Sequence, residues 1–187
     1  AAGTAALLTA SAFGLDAFCF VAPSDCGLGL YARSDLRRGQ AVVEYYGPLL
    51  ALSQLRHSTY ALELPGSRVF IDGGHENCAA SPPDAPRSPA IFANHSRRPN
   101  CAIEHWPREG APDEMWIVAL EEVAAGSELR FDYESGGSNY WQGQPPAESD
   151  WRARTVAPPP PSGEEPTIDF LPAMLSGRPQ PWPAWGR

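Results

Sequence analysis

The sequence predicts a mainly β domain with several short strands and few helices. From Phe18 to Tyr133, apolar residues come in short β-branched or aromatic runs separated by glycine and proline, which is typical of small strands. The 187 residues include 21 prolines and 17 glycines, a composition that favours turns over long helices. A chain of this length suits one domain with a single core.

Eight strands are predicted, each from a run of strand-forming residues bounded by turn residues. In order they are Phe18–Val21, Gly29–Ala32, Ala41–Tyr46, Thr59–Leu64, Arg68–Ile71, Ala102–His105, Met115–Ala119 and Leu129–Phe131. Short helices are predicted over residues 50–57 and 88–93. Residues 74–89 contain four prolines among small polar residues and predict a surface loop.

We predict a central domain over residues 16–141, a range implied by the motif resemblance given below, and three flanks. The flanks are residues 1–15, residues 142–156 and a proline-rich tail over residues 157–187. The first residues are apolar, but they have neither a cationic lead nor a span of about twenty apolar residues. We interpret the start as a fragment boundary and not as a membrane anchor.

The charge of the chain is acidic and its basic residues are of one kind. The net charge is −8, and all 14 basic residues are arginine because the chain has no lysine. A GC-rich coding sequence and freedom from self-modification at lysine both remain open as explanations. An acidic balance argues against direct nucleic-acid binding, which needs clustered cations, and favours a basic peptide or protein partner through electrostatic steering.

The four cysteines do not have the spacing of a metal or redox motif. Cys19, Cys26, Cys78 and Cys101 contain no pair separated by two residues, which a zinc ribbon or a thioredoxin-like pair would need. Buried free thiols are the expected state, and no metal site is predicted.

Two glycines and several tyrosines are the first candidates for a binding site. Gly27 and Gly29 flank Leu28 before a strand, a pattern that forms a tight turn or lets a ligand approach the backbone. The dinucleotide fingerprint is excluded because no third glycine opens a helix. Tyr45 and Tyr60 are each explained by core packing, but several tyrosines around one site would form a cage for an alkylammonium group.

Two segments mix small polar residues with aromatic ones in a way that core packing rarely demands. Residues 94–101 read Asn-His-Ser-Arg-Arg-Pro-Asn-Cys, and residues 128–133 read Glu-Leu-Arg-Phe-Asp-Tyr. Ser96 lies beside His95 without a nucleophile elbow, so a hydrolytic triad is excluded. Taken alone, His95 is equally explained as a structural histidine and Asp132 as a hydrogen-bonding group.

The ordered set of motifs resembles the SET domain over roughly residues 16–141. The matching segments are Gly27-Leu28-Gly29, Glu44-Tyr45-Tyr46-Gly47, Tyr60, Ile71-Asp72, Phe92 to Ser96, Pro99-Asn100-Cys101 and Glu128 to Tyr133. The resemblance implies several small β-sheets around a pseudoknot, in which residues 94–101 and 128–133 meet. It also implies protein-lysine N-methyltransferase activity with S-adenosylmethionine as the methyl donor.

The same resemblance implies roles for individual residues. Tyr133 matches the catalytic tyrosine, and Tyr45, Phe131 and Tyr133 would form the channel for the substrate lysine. The cofactor would be bound by Cys26, Gly27, Leu28, Gly29, Tyr60, Asn94 and His95. Asn94 would hold its amino group and the His95 backbone its adenine. Trp141 is the expected aromatic cover for the adenine, with Tyr140 and Trp151 as alternatives, and residues 142–156 would complete the pocket.

Three departures from the family pattern change what is expected. Many members carry a cysteine after Asn-His-Ser and a cysteine-rich C-terminal segment that together bind zinc, whereas this chain has Arg97 at the first position and no cysteine after Cys101. We therefore predict no structural zinc. The stretch from Asp72 to Asn94 is longer than the compact family pattern. Position 131 is not a departure, because the family carries either phenylalanine or tyrosine there; the resemblance implies that Phe131 leaves room for di- or trimethyllysine.

The resemblance also bounds the substrate and the cellular setting. A histone tail in chromatin is the first expected substrate, which would place the protein in the nucleus. A non-histone protein is the alternative, with a cytoplasmic location, and a catalytically silent interaction module is the rival from another class. No membrane association is expected.

Overall fold

A computed structural model of the chain describes residues 18–57, 59–75, 77, 87–135, 140–141, 143, 147 and 149–159. The predicted flank over residues 1–15, most of the predicted loop over residues 74–89 and the tail beyond residue 159 lie outside the described residues. Within the described part, no helix has the length and apolarity needed to cross a membrane.

Ten strands and three short 3₁₀ helices make up the secondary structure of the described residues, which confirms the mainly β prediction. The strands are β1 (Cys19–Ser24), β2 (Gly27–Ala32), β3 (Ala41–Glu44), β4 (Leu49–Ala51), β5 (Ala61–Glu63), β6 (Val69–Asp72), β7 (Asn94–His95), β8 (Cys101–Trp106), β9 (Glu114–Ala119) and β10 (Glu128–Phe131). The 3₁₀ helices are Leu52–Gln54, Pro89–Phe92 and Trp151–Ala153.

The strands form three small sheets. One has the order β1-β2-β10-β7, the second β3-β9-β8 and the third β4-β6-β5. All pairs are antiparallel except β10 and β7, which run parallel with Arg130 opposite Asn94 and Phe131 opposite His95. The two motif segments therefore lie side by side in one sheet, as the resemblance implies.

The structure corrects the sequence prediction at two places. The predicted helix over residues 50–57 is wrong, because β4 pairs with β6 there and only Leu52–Gln54 form a 3₁₀ turn. A long-range ladder outweighs local helix preference in so short a segment. The strand β7 was missed because two residues cannot show an alternating pattern. The short helix predicted over residues 88–93 is confirmed as Pro89–Phe92, with the Ser88 hydroxyl accepting a hydrogen bond from the Ala90 N–H.

One hydrophobic core draws on all three sheets. Leu30, Val43, Ile71, Ile117 and Leu129 are buried in this cluster. Tyr45, Phe92 and Phe131 belong to it, and Tyr60 and Tyr133 pack against it as partly exposed residues. The aromatic residues of the candidate site thus lie at the edge of the core, and packing against the core fixes the orientation of their rings.

Asn100 joins the two motif segments where β-ladder bonds are not available. Its Nδ2 donates to the Glu128 carbonyl at 2.8 Å, and its Oδ1 accepts from the Arg130 N–H at 2.9 Å. The side chain is buried, so both bonds form away from water. The side-chain amide therefore pairs with β10 as a backbone amide would, and it links the end of the first motif segment to that strand.

Candidate active site

The turn from Ser24 to Gly29 between β1 and β2, called the glycine turn below, has two glycines for two different reasons. Gly27 has φ +106°, a conformation that favours glycine, and a Cβ built there would meet no atom within 4 Å. A Cβ on Gly29 would lie 2.7 Å from Glu128 Oε1. Gly29 therefore makes room for a buried carboxylate of the protein, while Gly27 leaves one side of the turn open.

Asn94 is bonded directly to the glycine turn. Its Nδ2 donates to the Leu28 carbonyl at 2.9 Å and to Glu128 Oε1 at 3.0 Å. Because these two bonds use the amide N–H groups, the amide oxygen is the group that the side chain can offer a ligand, as an acceptor. The structure thus brings Asn94 to the adjacent residues Leu28 and Gly29, although Asn94 lies 66 positions after Leu28 in the sequence.

Arg130 is a buried cation at the same place and was assigned no role from the sequence. It is 3% exposed and forms ion pairs with Asp25 and with Glu128, the latter at 2.8 Å. Burial disfavours the charged form of Asp25, but the nearby Ser149 hydroxyl and the Arg130 guanidinium outweigh that effect and hold its pKa below the ordinary value. Burial also opposes the charge on Arg130, yet its pKa is raised by the Glu128 and Asp25 carboxylates. Asp25 and Arg130 are therefore both charged at neutral pH.

His95 positions the backbone at the end of the second motif. Its Nδ1 accepts a hydrogen bond from the Tyr133 N–H at 3.2 Å and lies 3.6 Å from Asp132 Oδ1. The ring makes edge contacts with the rings of Tyr133 and Trp141, at centroid distances of 5.3 and 5.2 Å. These contacts give His95 the structural role considered from the sequence, and its role toward a cofactor stays a prediction.

Tyr133 has an oriented and uncharged hydroxyl. Its Oη donates to the Ala93 carbonyl at 2.9 Å. Burial raises the pKa of Tyr133 well above its ordinary value, and the neighbouring Tyr140 adds to this effect. The phenol therefore stays protonated across the neutral and mildly alkaline range, so it can orient a ligand but cannot serve as a strong base.

An aromatic cluster surrounds this hydroxyl. The ring of Phe131 lies 4.7 Å from that of Tyr133, Tyr140 approaches edge-on at 5.0 Å, and Trp141 stacks nearly parallel at 6.0 Å. Of the aromatic residues expected to cover the cofactor, Trp141 and Tyr140 thus lie against Tyr133, the residue predicted to be catalytic.

Tyr45 and Tyr60 form a second pair next to the cluster. The Tyr45 hydroxyl donates to the Tyr60 carbonyl at 2.7 Å. Tyr60 adopts φ 58°, a left-handed conformation that is strained for a tyrosine and that often occurs at functional sites. Burial raises the pKa of Tyr45, with Tyr133 and Tyr140 as the next contributors, so the tyrosines share one low-dielectric region. These tyrosines therefore lie close to one another, an arrangement that the sequence alone left open.

Trp151 has a different place from the one offered as an alternative by the sequence. It is 1% exposed, and its Nε1–H donates to Ser96 Oγ at 3.1 Å. The guanidinium groups of Arg130 and Arg152 lie over its ring, at 5.2 and 4.9 Å from the centroid. The alternative that Trp151 stacks on adenine is therefore wrong, because other side chains already cover this ring.

The cysteines are only partly as expected. Cys19 and Cys101 are buried, and burial raises the pKa of Cys101 to about 12. Cys26 is exposed, so the expectation of a buried thiol was wrong there, since the turn carries it outward. Cys78 lies outside the described residues. Among the described residues, no group of three or more His, Cys, Asp or Glu side chains is placed to hold a metal ion.

The strand β10, which leads into Asp132-Tyr133, thus runs parallel to the Asn94-His95 strand, and Asn94 is bonded to the glycine turn. The SET domain family model matches residues 27–134, more than half of the chain, and the chain belongs to this family.

The curated relatives match this chain over only a portion of their own length. Histone-lysine N-methyltransferase ASHR3 of Arabidopsis thaliana is 26% identical over 108 residues, which is 58% of this chain and 22% of that protein. ASHH2 of the same plant is 32% identical over 118 residues, 57% of this chain and 6% of that protein. Human histone-lysine N-methyltransferase 2D is 32% identical over 113 residues, 58% of this chain and 2% of that protein. The chain thus spans less than a quarter of the length of these relatives.

Proposed function

We propose that this chain is a protein-lysine N-methyltransferase that uses S-adenosylmethionine, with a histone as the first expected substrate. Family membership and the names of the relatives support the reaction class. The observation that carries the proposal is the Tyr133 hydroxyl, which donates to the Ala93 carbonyl at 2.9 Å inside an aromatic cluster. Residues 16–141 would form the catalytic domain, and residues 142–156 would complete it.

The residues at the glycine turn fit the methyl donor. Gly27 leaves open space where a side chain would otherwise project, and the carbonyl of Leu28 and the amide of Asn94 are bonded together at its edge. Oxygen acceptors beside the Glu128 carboxylate suit an ammonium group. In this proposal Asn94 holds the amino group, and the His95 backbone and Trp141 hold the adenine. Cys26, Gly27, Leu28, Gly29 and Tyr60 line the remaining pocket. When bound, the donor supplies a methyl group on a positively charged sulfur.

The chain's own contribution is alignment and exclusion of water. Tyr45, Phe131 and Tyr133 would line the channel for the substrate lysine, and their burial makes it a low-dielectric space. Desolvation there lowers the pKa of an entering lysine, which favours the neutral amine that the reaction needs. The Tyr133 hydroxyl, donating to Ala93, keeps lone pairs that accept a hydrogen bond from that amine. This orients the nitrogen lone pair toward the methyl group.

The charge of the chain supports a basic substrate. A net charge of −8 favours association with cationic tails such as those of histones. A histone substrate would make the protein nuclear and chromatin-associated, whereas a non-histone substrate would allow a cytoplasmic location. These are the two alternatives that substrate profiling separates.

A radiolabelled methyl transfer assay tests the proposal. The protein is incubated with labelled S-adenosylmethionine and either core histones or a nuclear or cytoplasmic extract, and methyl-lysine is identified by mass spectrometry. Because the chain contains no lysine, all labelled lysine belongs to the substrate. Label on histones supports the first substrate, and label only on extract proteins supports the alternative. If calorimetry shows donor binding without transfer to any protein, a silent interaction module replaces the proposal.

Phe131→Tyr is expected to shift the product toward lower methylation states. The Phe131 ring lies 4.7 Å from that of Tyr133, so a hydroxyl at position 131 would enter the space next to the substrate amine. A hydrogen-bonded hydroxyl or water there would oppose rotation of a methylated amine, and we expect the ratio of di- and trimethyl- to monomethyllysine to fall about tenfold, the effect of one hydrogen bond of roughly 1.5 kcal/mol.

The matched control for this variant is Phe20→Tyr. Phe20 is also buried beside a tyrosine, with its ring 5.6 Å from that of Tyr31, but it belongs to a separate small cluster. Mass spectrometry of the products measures the methylation states. An unchanged product distribution in Phe131→Tyr would refute the role given to position 131.

A further inference from the structure

We propose that Arg130 is a positioning residue that couples the docked C-terminal segment to the glycine turn of the cofactor site. The inference rests on the proposed function, because it assigns the turn to the methyl donor. In this proposal the conformation of the glycine turn depends on residues about 20 positions beyond the second motif. The sequence carries no cysteine for a zinc unit in that region.

The C-terminal segment, residues 150–156 and called the strap below, is fixed against the domain along its length. The Val156 N–H donates to the Gly126 carbonyl at 2.8 Å, and Thr155 bridges Ser127. A Cβ on Gly126 would lie 2.5 Å from the Val156 carbonyl oxygen, so the strap fits only against glycine. At its other end, Trp151 is buried and bonded to Ser96. The strap is therefore an integral layer of the fold.

Arg130 contacts the strap and the glycine turn at the same time. Its guanidinium lies 5.2 Å from the Trp151 ring centroid. Its Nη2 donates to Ser24 Oγ at 3.2 Å and to Asp25, while Nη1 donates to the His95 carbonyl at 3.5 Å. The planar fork of arginine allows stacking and several hydrogen bonds together, which a lysine ammonium cannot reproduce.

The connection continues from Arg130 to the donor-binding amide. Arg130 holds Glu128 Oε2, and Glu128 Oε1 accepts from Asn94 and from Ser24. Asn94 in turn holds the Leu28 carbonyl. Without the guanidinium, the Asp25 and Glu128 carboxylates would face each other as like charges beneath the turn, which opposes its closed conformation. Loss of Arg130 is therefore expected to weaken donor binding and to spare the chemical step.

The chain offers a close control in Arg152. Its guanidinium lies over the same Trp151 ring at 4.9 Å, and like Arg130 it is hydrogen-bonded. Its partners, however, are the Arg98 and Pro99 carbonyls and the Glu121 side chain, all away from the glycine turn. Arg152→Gln thus removes a stacked arginine from the strap without touching the turn.

The experiment compares Arg130→Gln, Arg130→Lys and Arg152→Gln in the full chain. We expect Arg130→Gln to raise KM for S-adenosylmethionine about tenfold or more, with kcat changed less than about threefold, since ground-state positioning is lost and the catalytic tyrosine is untouched. Arg130→Lys should recover part of the loss, and Arg152→Gln should stay within about twofold of the wild type. Equal effects of the two glutamine variants, or a fall in kcat alone, would overturn the proposal.

A second readout works without the methyl donor and covers the case in which Arg130→Gln fails to fold. Hydrogen exchange of the amides of residues 26–29 is measured in the ligand-free wild type and in Asp25→Asn, which weakens the contact of Arg130 with the turn while its bond to Ser24 Oγ remains. Faster exchange at the turn in Asp25→Asn, but not in Arg152→Gln, supports the coupling even if the donor does not bind. Unchanged exchange in Asp25→Asn refutes the coupling independently of whether the protein is a methyltransferase.

Discussion

Tyr133→Phe is expected to reduce methyl transfer by about 100- to 1,000-fold while leaving donor binding and the fold intact, the range found when one oriented hydrogen-bonding group is removed from a catalytic site. The hydroxyl is oriented by its 2.9 Å bond to the Ala93 carbonyl, and the phenylalanine ring would fill the same space among Phe131, Tyr140 and Trp141. The variant therefore removes orientation of the amine and little else.

The direction in which the rate of this reaction changes with pH can be predicted. Because burial raises the pKa of Tyr133, the phenol does not lose its proton over the neutral and mildly alkaline range. The rate should rise with pH as the substrate lysine loses its proton, and the same rise should persist in Tyr133→Phe at a lower level. Rate measurements across this range, with donor affinity by calorimetry, check both statements.

The control for this variant is Tyr31→Phe. The Tyr31 hydroxyl also donates to a backbone carbonyl, that of Pro23, at 2.8 Å, and the residue is buried. Its ring stacks on Phe20 and lies outside the cluster around Tyr133. Loss of such a bond alone costs about 1 kcal/mol of stability. If the two phenylalanine variants retain equal activity, Tyr133 has no catalytic role.

Trp151→Ala is expected to lower the free energy of unfolding by about 3–5 kcal/mol, the usual result of truncating a buried aromatic residue. Trp151 is 1% exposed, bonds to Ser96 Oγ and is covered by Arg130 and Arg152. Its removal leaves a cavity, takes one hydrogen-bond donor from the buried Ser96 hydroxyl and exposes the ion pairs of Arg130 to water.

Urea unfolding measures this effect, with Trp106→Ala as the control. Trp106 is a partly exposed tryptophan that stacks on Trp116 at 5.4 Å, on a hairpin formed by β8 and β9. Its truncation is expected to cost about 1 kcal/mol, close to the value of an aromatic pair. A loss for Trp151→Ala no greater than that for Trp106→Ala would show that the strap is not part of the stable fold.

The fold was largely predictable because its strands have local signals. Runs such as Met115–Ala119 are rich in strand-forming residues, and the structure has a strand at each of the eight predicted places. The strand β4 was mistaken for part of a helix because Leu50 gains its pairing only from β6, far along the chain. Local preference cannot report a partner that is brought close by the rest of the fold.

The candidate site was predictable where it is carried by motifs. Asn94 and Tyr133 stand in such motifs, and the structure places both beside the predicted glycine turn or the aromatic cluster. The ion pair of Arg130 with Asp25 was missed because the two residues are 105 positions apart, and neither charge is unusual in its own segment. The burial of Trp151 was missed for a similar reason, since its partner Ser96 lies 55 positions earlier.

The most direct test of this account is methyl transfer by protein that has been exhaustively treated with a chelator. The proposed lysine methyltransferase would close its site without zinc. The chelator-treated and untreated proteins are each given S-adenosylmethionine and a basic protein substrate, and methyl-lysine is quantified by mass spectrometry. We expect methyl-lysine on the substrate at the same rate in both samples. A folded protein that yields no methyl-lysine on any substrate, or that loses its activity with the metal, would contradict this account.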